Sequence, residues 1–170
     1  MLNNYLFGVN ETVREYVRLT QELDARDTPV VLVLFGDHKP WMGNGGSVYE
    51  EMGIDFDTST LAGFRNYYAT PYLIWANRAA KEVLGADFTG DSGDFSPCFL
   101  MTRLFDACGW AGPGYMQLSR AMRDISPLLH TNGLFLHDGV LTSVLSDTDR
   151  SFYRSWLAVQ YYREHVAAYS

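Results

Sequence analysis

Between Pro29 and Pro40 the chain runs Val30-Val31-Leu32-Val33-Leu34-Phe35 without a polar residue and then turns through Gly36-Asp37-His38-Lys39. An apolar run without alternation predicts a strand over 29–35 with both faces covered, the arrangement of a mostly parallel sheet. Gly36 ends the run. Functional groups of open α/β sheets gather where strands end, and Asp37 and His38 stand at that edge. In the turn after a strand, a carboxylate and a neutral imidazole can reach one ion, and this donor pair suits Zn²⁺ or Mn²⁺. Taken alone, the same two residues also read as a loop cap and a surface histidine.

Around this strand the pattern is helical. Val9, Val13, Tyr16, Val17 and Leu23 recur at three- and four-residue spacing, which predicts an amphipathic helix over about 4–24. A helix delivered so promptly into a buried strand leads one to expect a further strand before residue 1, with a two-layer domain that opens on a helix as the alternative. Residues 41–47 are glycine-rich but lack the spacing of a phosphate loop and read as a flexible connection. Thr70 to Asn77 is a second strand, opened by Pro71, and Asn77 starts a helix over 78–84 closed by Gly85. Tyr67, Tyr68, Tyr72 and Trp75 read as core, with stacking on a sugar or lipid as the alternative.

Two apparent motifs fail on their chemistry. Asp87-x-Thr89-x-Asp91 imitates a calcium loop, but its sixth and twelfth positions are Ser92 and Cys98, where glycine and glutamate are required. Gly90-Asp91-Ser92-Gly93 resembles a serine-protease nucleophile segment in a chain too helical for that fold. Ser96 as N-cap and Pro97 in the first turn predict a helix over 96–108, and a second follows over about 113–125. Residues 128–136 and 139–145 suggest a hairpin about His137-Asp138-Gly139. Asp147 or Asp149 caps a last helix, from Arg150 to about Ala168. No linker or repeat interrupts the chain, which reads as one domain over 1–170.

With 47% apolar and 19% charged residues, 170 residues can bury a real core. A net charge of −7, with thirteen scattered Lys and Arg, argues against a nucleic-acid surface. No stretch approaches the roughly 20 apolar residues of a membrane span, so the chain itself is expected to be soluble. Cys98 and Cys108, about three helical turns apart, are too distant for a disulfide within an intact helix.

Three blocks, Phe35-Gly36-Asp37-His38-Lys39-Pro40, then Thr70-Pro71-Tyr72-Leu73-Ile74-Trp75-Ala76-Asn77, then Ser96-Pro97-Cys98-Phe99-Leu100, together resemble the end of the catalytic domain of the lipoteichoic acid synthase-like sulfatases, in the alkaline phosphatase superfamily. The likeness runs from about Tyr5 to the carboxyl terminus, and its first block is the most specific. It implies an α/β fold with a mostly parallel or mixed central sheet flanked by helices, as a fragment of an alkaline phosphatase-like domain. It implies that Asp37 and His38 are two ligands of a catalytic divalent metal, with Mn²⁺ the first choice and Zn²⁺, Mg²⁺ or Ca²⁺ as alternatives.

By the same resemblance, the parent is a membrane-anchored phosphoryl, sulfuryl or phosphoglycerol-type transferase or hydrolase on the extracellular face of the cell membrane. Its nucleophile lies on segments preceding this strand, so the missing amino-terminal half is the expected partner and the chain alone is expected to be inactive. No catalytic nucleophile is assigned within the chain. The reading from a different class is a non-catalytic sugar- or peptide-binding module built on the glycine loop and the aromatics.

Overall fold

The computed structural model describes residues 2–166, which pack as two compact units dividing after Gly90. In the first unit, α1 (Leu2–Asp24) leads into β1 (Val31–Phe35). A glycine turn (Asn44–Gly46), α2 (Ser47–Glu51), α3 (Leu61–Tyr68), β2 (Tyr72–Ala76) and α4 (Arg78–Leu84) follow.

The strand pair corrects the expected sheet. β1 and β2 are antiparallel, in a register from Val31 opposite Ala76 to Phe35 opposite Tyr72, and form a two-stranded sheet. The reason lies at the carboxyl end of β1. The amide of Gly36 donates to Pro71 O at 2.9 Å, and the Thr70 hydroxyl donates to Gly36 O at 2.7 Å. The chain therefore re-enters the sheet beside the point where it left, and a strand entered there must run backwards along β1. Nor is the apolar run covered on both faces, since Leu34 and Phe35 are 41% and 56% exposed.

Asn77 locks the other end of this sheet. It is fully buried, and its side-chain oxygen accepts the amides of Val30 and Ala80, each at 2.9 Å. Its nitrogen donates to Leu23 O at 3.0 Å and Thr28 O at 2.9 Å. One carboxamide thus joins the end of α1, the turn, the start of β1 and the first turn of α4. No residue of α1 is buried, and Leu6, Val9, Val13 and Val17 are exposed. No described helix is long and apolar enough to cross a membrane.

In the second unit a 3₁₀ turn (Pro97–Phe99) leads into α5 (Leu100–Ala107), then α6 (Gly114–Ile125), β3 (Phe135–His137), β4 (Val140–Thr142) and α7 (Asp147–His165). Its core is Phe99, Met122 and Trp156, with Leu118, Ile125, Leu129, Phe152 and Tyr153 packed around them. The hairpin turn is Asp138-Gly139, both at positive φ (49° and 77°), as a two-residue turn of matching twist requires.

Two caps differ from the sequence reading. Ser96 occupies the N-cap position but makes no side-chain cap; its hydroxyl instead donates to Leu129 O at 3.0 Å and accepts Leu129 N at 2.8 Å. Ser146, rather than Asp147 or Asp149, caps α7, accepting the Asp149 amide at 3.1 Å and donating to its carboxylate at 2.6 Å. The helix therefore starts three residues before Arg150, and its expected end at Ala168 lies outside the described residues.

Candidate metal centre

Asp37 and His38 sit in the turn that closes β1, and their side chains converge. Asp37 Oδ2 lies 3.5 Å from His38 Nε2, and Asp37 Oδ1 accepts the His38 amide at 2.8 Å. The other ring nitrogen, Nδ1, is 3.0 Å from Lys39 O. A carbonyl only accepts, so Nδ1 carries the proton and, in a neutral imidazole, Nε2 presents a bare lone pair to the carboxylate. A carboxylate oxygen and an imidazole nitrogen at this distance can share one metal ion. Donating one ring N–H to a carbonyl while the other nitrogen stays free is how metal-binding histidines are oriented.

The turn that carries the pair is anchored at three points. Gly36 is held by Thr70 and Pro71, and a side chain there would meet Thr70 Cβ at 3.0 Å. Lys39 donates its ammonium to Asn66 O and to Arg65 O at 3.5 Å, carbonyls of the last turn of α3, where a cation is favoured. Burial there lowers the lysine pKa from its ordinary value. Pro40 O accepts the Tyr49 hydroxyl of α2 at 2.6 Å. Asp37 and His38 themselves remain 80% and 77% exposed, as groups displayed on a fixed loop.

The donor set fits part of a metal site. Two donors on one tetrahedral ion stand about 3.4 Å apart, given metal–ligand distances near 2.1 Å, and the observed separation is 3.5 Å. Among the described residues no third His, Cys, Asp or Glu joins them to form a group of three. His137 and Asp138 repeat the pairing at 3.6 Å in the hairpin turn of the second unit, with His137 Nδ1 3.1 Å from Ile125 O. His165 stacks on Tyr161 and His130 Nδ1 accepts the Asn132 amide, so both are engaged locally.

Of the aromatics named from sequence, Tyr67 and Tyr68 join a ring cluster in which Tyr49 meets Phe56 at 4.9 Å, Phe56 meets Tyr67 at 5.4 Å and Phe64 meets Tyr68 at 4.6 Å. Tyr67 and Tyr68 keep 38% and 41% exposure. The glycine-rich turn forms one wall of an open hollow shared with Glu50, Asp55 and Phe56. Sequence reasoning missed the anchors, Thr70, Lys39 and Tyr49. The signal available for Thr70 was the Thr-Pro pair ahead of a strand, which fixes an extended residue beside the preceding strand's end. No protein-family model, curated protein or solved structure matches the chain.

Proposed function

We propose that the chain is the carboxyl-terminal part of the catalytic domain of a metal-dependent, sulfatase-like phosphoryl or sulfuryl transferase or hydrolase, in which Asp37 and His38 are two of the metal ligands. The observation that supports this is the aimed pair itself: a carboxylate oxygen and a ring nitrogen 3.5 Å apart, on a turn tied down on both sides.

A divalent ion such as Mn²⁺, when bound there, supplies Lewis acidity toward a tetrahedral phosphate or sulfate ester. The chain's own residues do the holding. The Lys39 carbonyl fixes the imidazole tautomer, Asp37 supplies negative charge, and the Lys39 ammonium is kept out of the way at the end of α3. The nucleophile and the remaining ligands belong to the rest of the domain, as do membrane attachment and an extracellular location. On this reading the chain alone turns over no ester.

The test is calorimetric titration of the chain with Mn²⁺, beside Asp37→Asn and His38→Ala. Both side chains are exposed, so neither substitution disturbs the fold. The expected result is weak binding that disappears in each variant. Binding that is equal in wild type and His38→Ala would remove the pair from the site.

A further inference from the structure

In the second unit α5 and α6 meet across one carboxylate. Arg103 and Asp106 lie three residues apart on α5, and Arg120 and Arg123 three apart on α6, so each pair shares one face of its helix. Asp106 Oδ1 accepts Arg120 Nε at 2.6 Å, and Oδ2 accepts Arg123 Nη1 at 2.7 Å. Each oxygen then has a charged donor. Arg103 Nη1 stands 3.6 Å from Oδ2, too far for a hydrogen bond. A second carboxylate, that of exposed Asp124, lies 3.5 Å from Arg123 Nη2. Among these groups one positive charge is left over, in a chain whose net charge is −7.

Arg103 is the surplus cation, and the fold holds it in place. Its Nη2 donates to Ser92 O at 2.6 Å, and its guanidinium lies 5.9 Å from the centre of the Phe95 ring. Its Nε is enclosed without a hydrogen-bond partner among the described residues. A long side chain with like charges beside it and an unmatched donor gains by swinging into water, as Arg14 and Arg18 do at 68% and 69% exposure. Arg103 is instead 23% exposed. Arg120 is fixed beside it by Trp110 O at 3.2 Å, and Arg123 by Thr102 Oγ1 at 3.2 Å. We propose that this arginine cluster is a binding site for a tetrahedral oxyanion, a phosphate or sulfate group, with Arg103 as its first donor. Guanidinium forks match oxyanions, and a group with oxygens in several directions can meet forks on two helices, where a planar carboxylate offers two oxygens in one plane. The cluster is small and the chain acidic, so the ligand is a small anion or a single esterified group rather than a polyanion. The inference is independent of Asp37 and His38, which belong to the first unit.

The probe is inorganic phosphate, added to the isotope-labelled chain with chloride as the balance, so that ionic strength and screening stay fixed. The Nε–H resonances of Arg103 and Arg120 should shift along a saturable curve, and that of Arg163, which stacks on Tyr115, should not. Arg103→Gln removes neither hydrogen bond to Asp106, so α5 and α6 stay joined. It should weaken phosphate binding about tenfold, the worth of one hydrogen bond between charged groups. Arg103→Lys, which keeps the charge without the fork, should fall between wild type and Arg103→Gln, and it carries the comparison if Arg103→Gln does not fold. Sulfate and glycerol phosphate in the same assay separate a bare oxyanion from an esterified one, the source being the one that saturates at the lowest concentration. Shifts that grow without saturation, that chloride alone reproduces, or that persist unchanged in both variants would overturn the proposal and leave the arginines as a tie between the two helices.

Discussion

Gly63 packs directly on the backbone of Asp57: a Cβ at residue 63 would fall 2.6 Å from the Asp57 carbonyl carbon and 2.7 Å from its nitrogen. The approach is set by the cap of α3, where Thr60 Oγ1 accepts the Gly63 amide at 3.0 Å and Asp57 O accepts the Thr60 amide at 3.0 Å. Alanine normally stabilises a helix over glycine by about 1 kcal/mol. Here Gly63→Ala should destabilise the first unit by about 1–3 kcal/mol, as overpacking does. Urea unfolding read by amide exchange in this unit measures it, and a stabilised variant would contradict the packing.

Asn77→Ala should be the most damaging polar substitution in that unit. It leaves the amides of Val30 and Ala80 and the carbonyls of Leu23 and Thr28 without their partner. With about 1–3 kcal/mol for each buried group left unmade, partly recovered by water, a loss of about 3 kcal/mol is expected. Asn77→Asp keeps the acceptor but sets a carboxylate against two carbonyls, and should be no better tolerated. A change under about 0.5 kcal/mol in either would mean that the tie is dispensable.

In the second unit Trp156 Nε1 donates to Ser119 Oγ at 3.0 Å, and both residues are buried. A double-mutant cycle of Trp156→Phe and Ser119→Ala should give a coupling of about 1 kcal/mol. Additive losses would show that the indole contributes by packing alone.

Asp106 gives the same unit a stability that depends on pH in the acid range. Burial raises its carboxyl pKa, but hydrogen bonds from Arg123 at 2.7 Å and Arg120 at 2.6 Å, with their charges, outweigh this and hold it below the ordinary 3.8. A depressed folded value means that the stabilisation is complete above the unfolded pKa and is lost as pH falls through the folded one. The stability gap between wild type and Asp106→Asn should therefore be constant near neutrality and shrink below pH 3.8. A gap that persists into strong acid would show that ionisation of Asp106 is not what the arginines recognise.

The elements with punctuation at both ends were legible from residues alone. Asn77 and Gly85 bracket α4 at Arg78–Leu84, as expected, and Asp138-Gly139 turns the hairpin. The direction of β2 was not legible, because it depends on Thr70 and Pro71 gripping Gly36, a contact across more than thirty residues that no local pattern announces. Ser96 was misread for a related reason: a hydroxyl ahead of a helix has a local use as a cap, and here Leu129 competes for it from the far side of α6. At the candidate centre the sequence pointed to the pair Asp37 and His38, while the imidazole's orientation came from the Lys39 carbonyl, a backbone group without a sequence signature.

The reach of Asn77 also orders events during synthesis. Its side chain contacts Val30 across 47 residues and Leu23 across 54. On a ribosome, α1 and the amino end of β1 are complete long before that carboxamide has been translated. Until it emerges, the turn between them is held only by local bonds such as Arg26 N to Leu23 O, and a strand of bare valines and leucines stands open to the nascent chain's other segments. Delivery of residue 77 from the exit tunnel is then the moment at which the first unit can close, and a translational pause just before it would prolong the exposure of the segment most prone to pair wrongly.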